Sequence, residues 1–317
     1  MAKALEKSTV LIEAARLYYE HGFSQQQIAD KLGLSRPGIS RLLQMARQQG
    51  IVRIEICDPA ERSTQLETEL QTKFNLKKVI IVPNDGEETT VIKRRLGQVA
   101  AKFLDQLVTE DLVLGVSWGS TMQAVVKQLR PRRVKNMVVV QLNGGVSRAE
   151  YNTHASDIAQ RIGETYQATP FLLPLPAVVD NADLKRAIIA DKNISRTLSL
   201  ALRAQVVMFT VGYFNKNSVL VKADYFEPEE VELLLRQRAV ADICSRIITT
   251  TGKICSPELD SRTIGIELLE LSKKPTAIAV AGGKEKLPAI HAGLLGKHFN
   301  VLITDEWVAS ELLEWPE

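Results

Sequence analysis

A chain of 317 residues, 45% of them apolar, is too long for one small domain and has enough hydrophobic matter for a large buried core, so two domains are expected. The formal net charge is only +3, yet residues 1–57 hold eight Lys or Arg against five acids, so the whole basic surplus sits in that stretch. Three cysteines without a CxxC pair (Cys57, Cys244, Cys255) argue against a disulfide framework or a zinc site, and no apolar run approaches the roughly 18 residues of a membrane helix, which points to a cytoplasmic chain with no membrane partner.

In chain order, Val10, Ile12, Ala14, Ala15, Leu17 and Tyr18 have helical spacing over 9–21, and Gly22 stops that helix. Residues 24–50, SQQQIADKLGLSRPGISRLLQMARQQG, read as two helices with a tight break. Ser24 and Gln27 form a capping-box start, and Gly33 ends the first helix. Ser35 caps the second, in which Ile39, Leu42, Leu43 and Ala46 face one way while Arg36, Pro37, Ser40, Arg41, Gln44 and Arg47 face the other. The polar face carries no acid between Ser35 and Gln49. Arginine can pair bidentately with guanine and glutamine with adenine in the major groove, so this pattern is expected to be a DNA-reading helix-turn-helix. The alternating stretch 51–57, IVRIEIC, reads as the wing of a winged helix, with Arg53 as a phosphate contact. These features assign 1–57 to a DNA-binding domain.

Asp58 and Pro59 interrupt that strand, and 58–317 form the second expected domain. Leu66, Leu70 and Phe74 mark a short amphipathic helix. Strand-like runs then alternate with helical ones: KKVIIVP, LVLGVSWG, NMVVVQLNGG, FLLPLP, QVVMFTVG, TAIAVAGG and VLITD, with helices expected over 90–108, 120–130, 226–238 and 306–313. Such alternation predicts an α/β fold, a doubly wound, Rossmann-like parallel sheet covered on both faces.

Ligands of such sheets sit beyond the carboxyl ends of the strands. Three of these ends carry glycine. Gly119, Ser120 and Thr121 open a helix with free N–H groups and hydroxyls, suited to phosphate; Asn143, Gly144 and Gly145 offer an amide and open backbone; Gly282, Gly283 and Lys286 offer a turn and a cation. Asn181, after Asp180, and Asp242 lie beside apolar runs and read either as acceptors for sugar hydroxyls or as caps. Neither GxGxxG nor GxxxxGK[ST] occurs, so no nucleotide cofactor is expected, and His21, His154, His291 and His298 lack metal spacing.

With both halves in view, the sequence resembles the SorC/DeoR-type family of bacterial sugar-responsive transcriptional regulators, above all its deoxyribonucleoside branch. The resemblance runs along nearly the whole chain, through EAARLYYEHGFSQQQIADKLGLSRPGISRLLQMARQQGIV, GVSWGSTM, VVQLNGGVS, LPLPAVVDNADLKR, VADICSR, RTIGIEL and VAGGKEK. It implies a tetrameric repressor of double-stranded operator DNA whose second domain is similar to sugar-phosphate isomerases and deaminases, has lost catalysis, and senses a phosphorylated sugar. By motif match Gly119, Ser120 and Thr121 would hold the phosphate, and Asp242 and Lys286 would contact the ligand. Where the branch can carry an imine-forming lysine in its QLxGG loop, this chain has Asn143, which implies reversible binding. The rival reading is a phosphosugar isomerase or deaminase-like enzyme; no nucleophile and base at telling spacing supports it.

Overall fold

The computed structural model describes residues 2–52, 59–84, 88–146 and 153–315. The chain divides into two compact units, Met1–Asp58 and Pro59–Glu317.

The first unit is built from helices Ala2–Tyr19, Gln25–Leu32 and Arg36–Gln48. Ser24 closes a reciprocal capping box with Gln27, and Gly33, at φ 66°, ends the second helix in the left-handed conformation that glycine adopts without a Cβ penalty. Ala14, Leu17, Ile28, Ala29, Ile39 and Leu43 make one apolar cluster, and Leu11, Ala15 and Ala46 a second, so each helix buries one stripe. The first helix begins earlier than the expected 9–21 because Ala2 to Ser8 contain no Gly or Pro to stop it. Ile51 and Val52 are bends, and the rest of the expected wing, including Arg53, lies outside the described residues.

The second unit opens with the helix Pro59–Phe74, longer than the short helix expected there. Among the described residues its strands are β1 (Lys78–Val82), β2 (Val113–Val116), β3 (Val138–Gln141), β4 (Thr169–Phe171), β5 (Val206–Phe209), β6 (Val211–Tyr213), β7 (Ala239–Ile243), β8 (Arg246–Thr249), β9 (Thr276–Val280) and β10 (Val301–Asp305). Seven form one sheet in the order β1-β10-β9-β5-β2-β3-β4, with every pairing parallel. Six of these coincide with runs expected from the sequence, and the seventh, β4, shares only Phe171 with the expected FLLPLP. β4 lies earlier, at Thr169–Phe171, on the sheet edge where Pro170 is tolerated, and Pro174 and Pro176 keep the ladder from running on through the expected FLLPLP.

Alternate strand residues serve opposite faces. Val139, Val206, Met208 and Ile303 join one apolar cluster, while Val140, Val207, Phe209 and Leu302 join the other. The chain runs outward from β2 through β3 to β4, then returns to lay β5 on the other side of β2 before moving outward through β9 and β10. The crevice between β2 and β5 is therefore the topological switch point.

A second sheet, β6-β7-β8, is antiparallel and absent from the sequence reading. Its β7–β8 hairpin turns through Cys244 and Ser245, at φ 49° and 68°. Such turns ordinarily announce themselves with Asn-Gly or Asp-Gly, and here neither residue is present. No helix among the described residues is long and apolar enough to cross a membrane.

Candidate effector site and nucleic-acid interface

On the helix Arg36–Gln48, Ser35 accepts the Gly38 N–H at 3.2 Å as the N-cap, with Pro37 in the first turn where its missing N–H costs nothing. Ser35, Arg36, Pro37, Ser40, Arg41, Gln44 and Arg47 are all exposed, and Ile39, Leu43 and Ala46 all buried. Arg47 is additionally held: its Nε donates to the Tyr19 hydroxyl at 2.8 Å and its guanidinium stacks 5.8 Å from the Tyr19 ring centroid. Tyr19 belongs to the first helix, and local periodicity could not tie it to Arg47.

At the switch point, β2 leads into Ser117–Thr121 and β5 into Thr210. Gly119 has φ 126°, a conformation strained for any side chain, and a Cβ there would come within 3.2 Å of the Thr210 methyl. Lys286 Nζ donates to Thr210 Oγ1 at 3.0 Å. Lys286 is delivered by a single 3-10 turn, Lys284–Lys286, after Gly283 at φ 94°. The Gly283 N–H donates to Asp305 Oδ2 at 2.6 Å, and the same carboxylate accepts the Val308 N–H and the Asn84 amide. Asp305, buried at the end of β10, thus fixes the loop that aims Lys286.

Asp242 enters from β7, opposite Gly212 of β6. A side chain at Gly212 would overlap its carboxylate. Burial pushes the Asp242 carboxyl up to about 6, against the opposing pull of Lys286 and of a hydrogen bond from the Ser245 backbone. Burial likewise pushes Lys286 down to about 8, aided by Lys93 and opposed by Asp242. The strand ends therefore bring together a glycine turn, hydroxyls, a starved cation and a strained carboxylate. The cation and N–H groups suit a phosphate, and the carboxylate suits sugar hydroxyls.

The other expected ligand residues are used by the protein itself. Asn143 is fully buried; its Nδ2 donates to Ser245 Oγ at 2.7 Å and its Oδ1 accepts from Ser117 Oγ at 2.8 Å. One end of the amide braces the Cys244–Ser245 turn and the other holds Ser117 after β2, so a strut replaces the expected ligand contact. A Cβ at Gly144 would overlap the Pro176 carbonyl, and one at Gly145 would come within 2.8 Å of Trp118 Nε1. Gly282 would meet Asp305 Oδ2 at 2.5 Å. These three glycines permit close packing in place of the expected open backbone. Of the two readings left open for Asn181, the structure takes the cap: its side chain accepts the Leu184 N–H at 2.8 Å, at the start of the helix Ala182–Ile189.

Thr210, Gly212, Ser245 and Lys93 were not foreseen. Thr210 falls inside the expected run QVVMFTVG, and only the break between β5 and β6 turns it into a strand-end residue. Among the described residues no group of three or more His, Cys, Asp or Glu could hold a metal ion.

Residues 58–314 match the Sugar-bind family, a sugar-binding domain. Over 308 residues the chain is 41% identical to the deoxyribonucleoside regulator of Bacillus subtilis (strain 168), covering 97% of this chain and 98% of the relative. The structure is similar to the full-length sorbitol operon regulator SorC from Klebsiella pneumoniae, with a TM-score of 0.73 and 28% identity over 96% of this chain and 98% of that one. It is also similar to a DeoR family transcriptional regulator from Listeria monocytogenes, with a TM-score of 0.72 and 25% identity over 79% and 99%.

Proposed function

The chain belongs to the Sugar-bind family of transcriptional regulators, whose relatives named above are regulators and not enzymes, and on that premise we propose that it represses a sugar or deoxyribonucleoside catabolic operon and is released from its operator by a phosphorylated sugar. In this reading residues 1–57 bind double-stranded DNA through Ser35, Arg36, Pro37, Ser40, Arg41, Gln44 and Arg47. Residues 58–317 bind the effector and assemble the homo-oligomer, a tetramer by family resemblance.

The observation that carries the effector class is the Lys286–Thr210 contact at the switch point, beside Gly119 and facing Asp242. A partly buried ammonium with a raised cost of charge gains most from a dianionic phosphate. The Gly119, Ser120 and Thr121 turn adds N–H and hydroxyl donors, and Asp242 accepts a sugar hydroxyl. Asn143 cannot form an imine, so no covalent bond to the sugar forms at that position.

Paired recognition helices must enter grooves about 34–36 Å apart, or a multiple of that, so an effector that favours one quaternary arrangement shifts operator affinity by linkage. The test is a thermal-shift series with deoxyribose 5-phosphate and other sugar phosphates, each beside its unphosphorylated parent, followed by operator binding with the active compound. A concentration-dependent rise with a phosphorylated sugar alone, and loss of DNA binding on its addition, is expected. Equal response to the parent sugars would sink the phosphate assignment.

A further inference from the structure

Behind the wall of the strand-end site lies a cavity of about 370 Å³. Its cover is a pair of helices, Ala182–Ile189 and Lys192–Arg203; the first buries none of its residues. Its floor is the segment around Gly265 and Ile266. Gly265 bridges to Asn143, and the Ile266 N–H donates to the Leu142 carbonyl at 2.8 Å, so one backbone thickness separates this cavity from the brace described above.

The lining is aliphatic over most of its extent, from Ile189, Leu198, Ala201, Leu202 and Ile266. Four charged groups reach it. Arg246 is spent: Nε donates to the Ile266 carbonyl at 2.7 Å, Nη2 to the Gly265 carbonyl at 3.0 Å, and Nη1 pairs with Asp260. Glu270 pairs with Lys273 at 2.7 Å. Lys185 and Glu267 remain. Lys185 is half-buried, its hydrogen bond to the Asp260 carbonyl is long at 3.4 Å, and burial together with the repulsion of Arg246 lowers its pKa. Glu267 is exposed at the edge and attracts Lys185 only through space.

We propose that this cavity is a second small-molecule site that takes an aliphatic α-amino acid, with the carboxylate on Lys185, the ammonium on Glu267 and the side chain against Leu198, Ala201 and Ile266. One open cation and one open anion beside an aliphatic wall match a zwitterion with an aliphatic branch, and neither a sugar phosphate nor a purely apolar ligand would use both charges. The site does not depend on the effector reading.

The test is isothermal titration calorimetry of the full chain with L-leucine, beside isovalerate, which lacks the ammonium, isopentylamine, which lacks the carboxylate, and L-aspartate, which lacks the aliphatic branch. L-leucine is expected to bind, each analogue to bind at least about tenfold more weakly, and Lys185→Met and Glu267→Gln each to weaken leucine by about tenfold or more, the loss of one charge-assisted hydrogen bond. Glu267 is exposed, so Glu267→Gln keeps the test valid should Lys185→Met fail to fold. No heat with millimolar leucine, an affinity indifferent to Glu267→Gln, or equal binding of isovalerate would overturn the proposal.

Discussion

On the helix Arg36–Gln48 the arginines are exposed; around Lys286 the charged groups are partly buried, and desolvation moves both Lys286 and Asp242 toward neutrality. A face of the first kind works by long-range attraction that salt screens, while a site of the second kind works by desolvated contacts that a single missing partner can undo. Surface charges can be exchanged with graded loss. The partly buried cluster stands or falls on individual atoms.

The sharpest way to break that contrast is Lys286→Met. Removing a charged donor from the buried site is expected to cost about 1.5–3 kcal/mol of effector binding, roughly ten- to hundredfold, read by calorimetry with the active sugar phosphate. An unchanged affinity would move the phosphate away from Lys286.

Next comes Asn143→Ala, which leaves Ser245 Oγ and Ser117 Oγ without their buried partner. The expected result is a loss of about 1–3 kcal/mol in folding stability, seen as a lower denaturant midpoint at constant m. If stability held while effector binding vanished, Asn143 would be a ligand contact after all and the strut reading would fall.

The pH dependence separates the two regions further. Lys286 titrates at about 8 instead of 10.5, and a phosphate binds its charged form, so effector affinity is expected to fall as pH rises through about 8, by up to tenfold per unit. Without effector, the folded chain holds fewer protons on Lys286 than the unfolded chain between about pH 8 and 10.5, so this group's contribution to stability rises with pH across that window. Lys286→Met should flatten both curves, and a binding profile that stays the same in the variant would show another group to be responsible.

The smallest effect belongs to the surface. Arg36→Ala or Arg41→Ala, if the residue meets a phosphate, lowers the slope of log affinity against log salt by about one, a change of about fourfold between 50 and 200 mM salt. A slope unaltered by either substitution would remove that helix from the DNA interface.

The caps at Ser24, Gly33 and Ser35 and six of the seven parallel strands were legible because each rests on neighbours within four or five residues: a hydroxyl three positions before an N–H, a β-branched run bounded by turn residues. The β7–β8 hairpin was hidden because Cys244 and Ser245 adopt positive φ without the residues that advertise it, held there by Asn143 from another strand end. Asn143 shows the same limit from the other side. An amide beside two glycines after a strand looks like a ligand group, and nothing local reveals that both its ends are already taken.

What the chain's local chemistry determined by itself was therefore the inventory: helices with one apolar stripe, strands buried on both faces, a basic exposed helix and a set of polar residues at strand ends. Only the tertiary structure decided which of those polar residues meet. Lys286, Thr210, Gly119 and Asp242 lie on four separate segments, and the strand order that reverses between β2 and β5 draws them to one crevice. The shifts of Lys286 and Asp242 follow from that meeting, because desolvation is a property of what surrounds a group in space and has no counterpart in the sequence beside it.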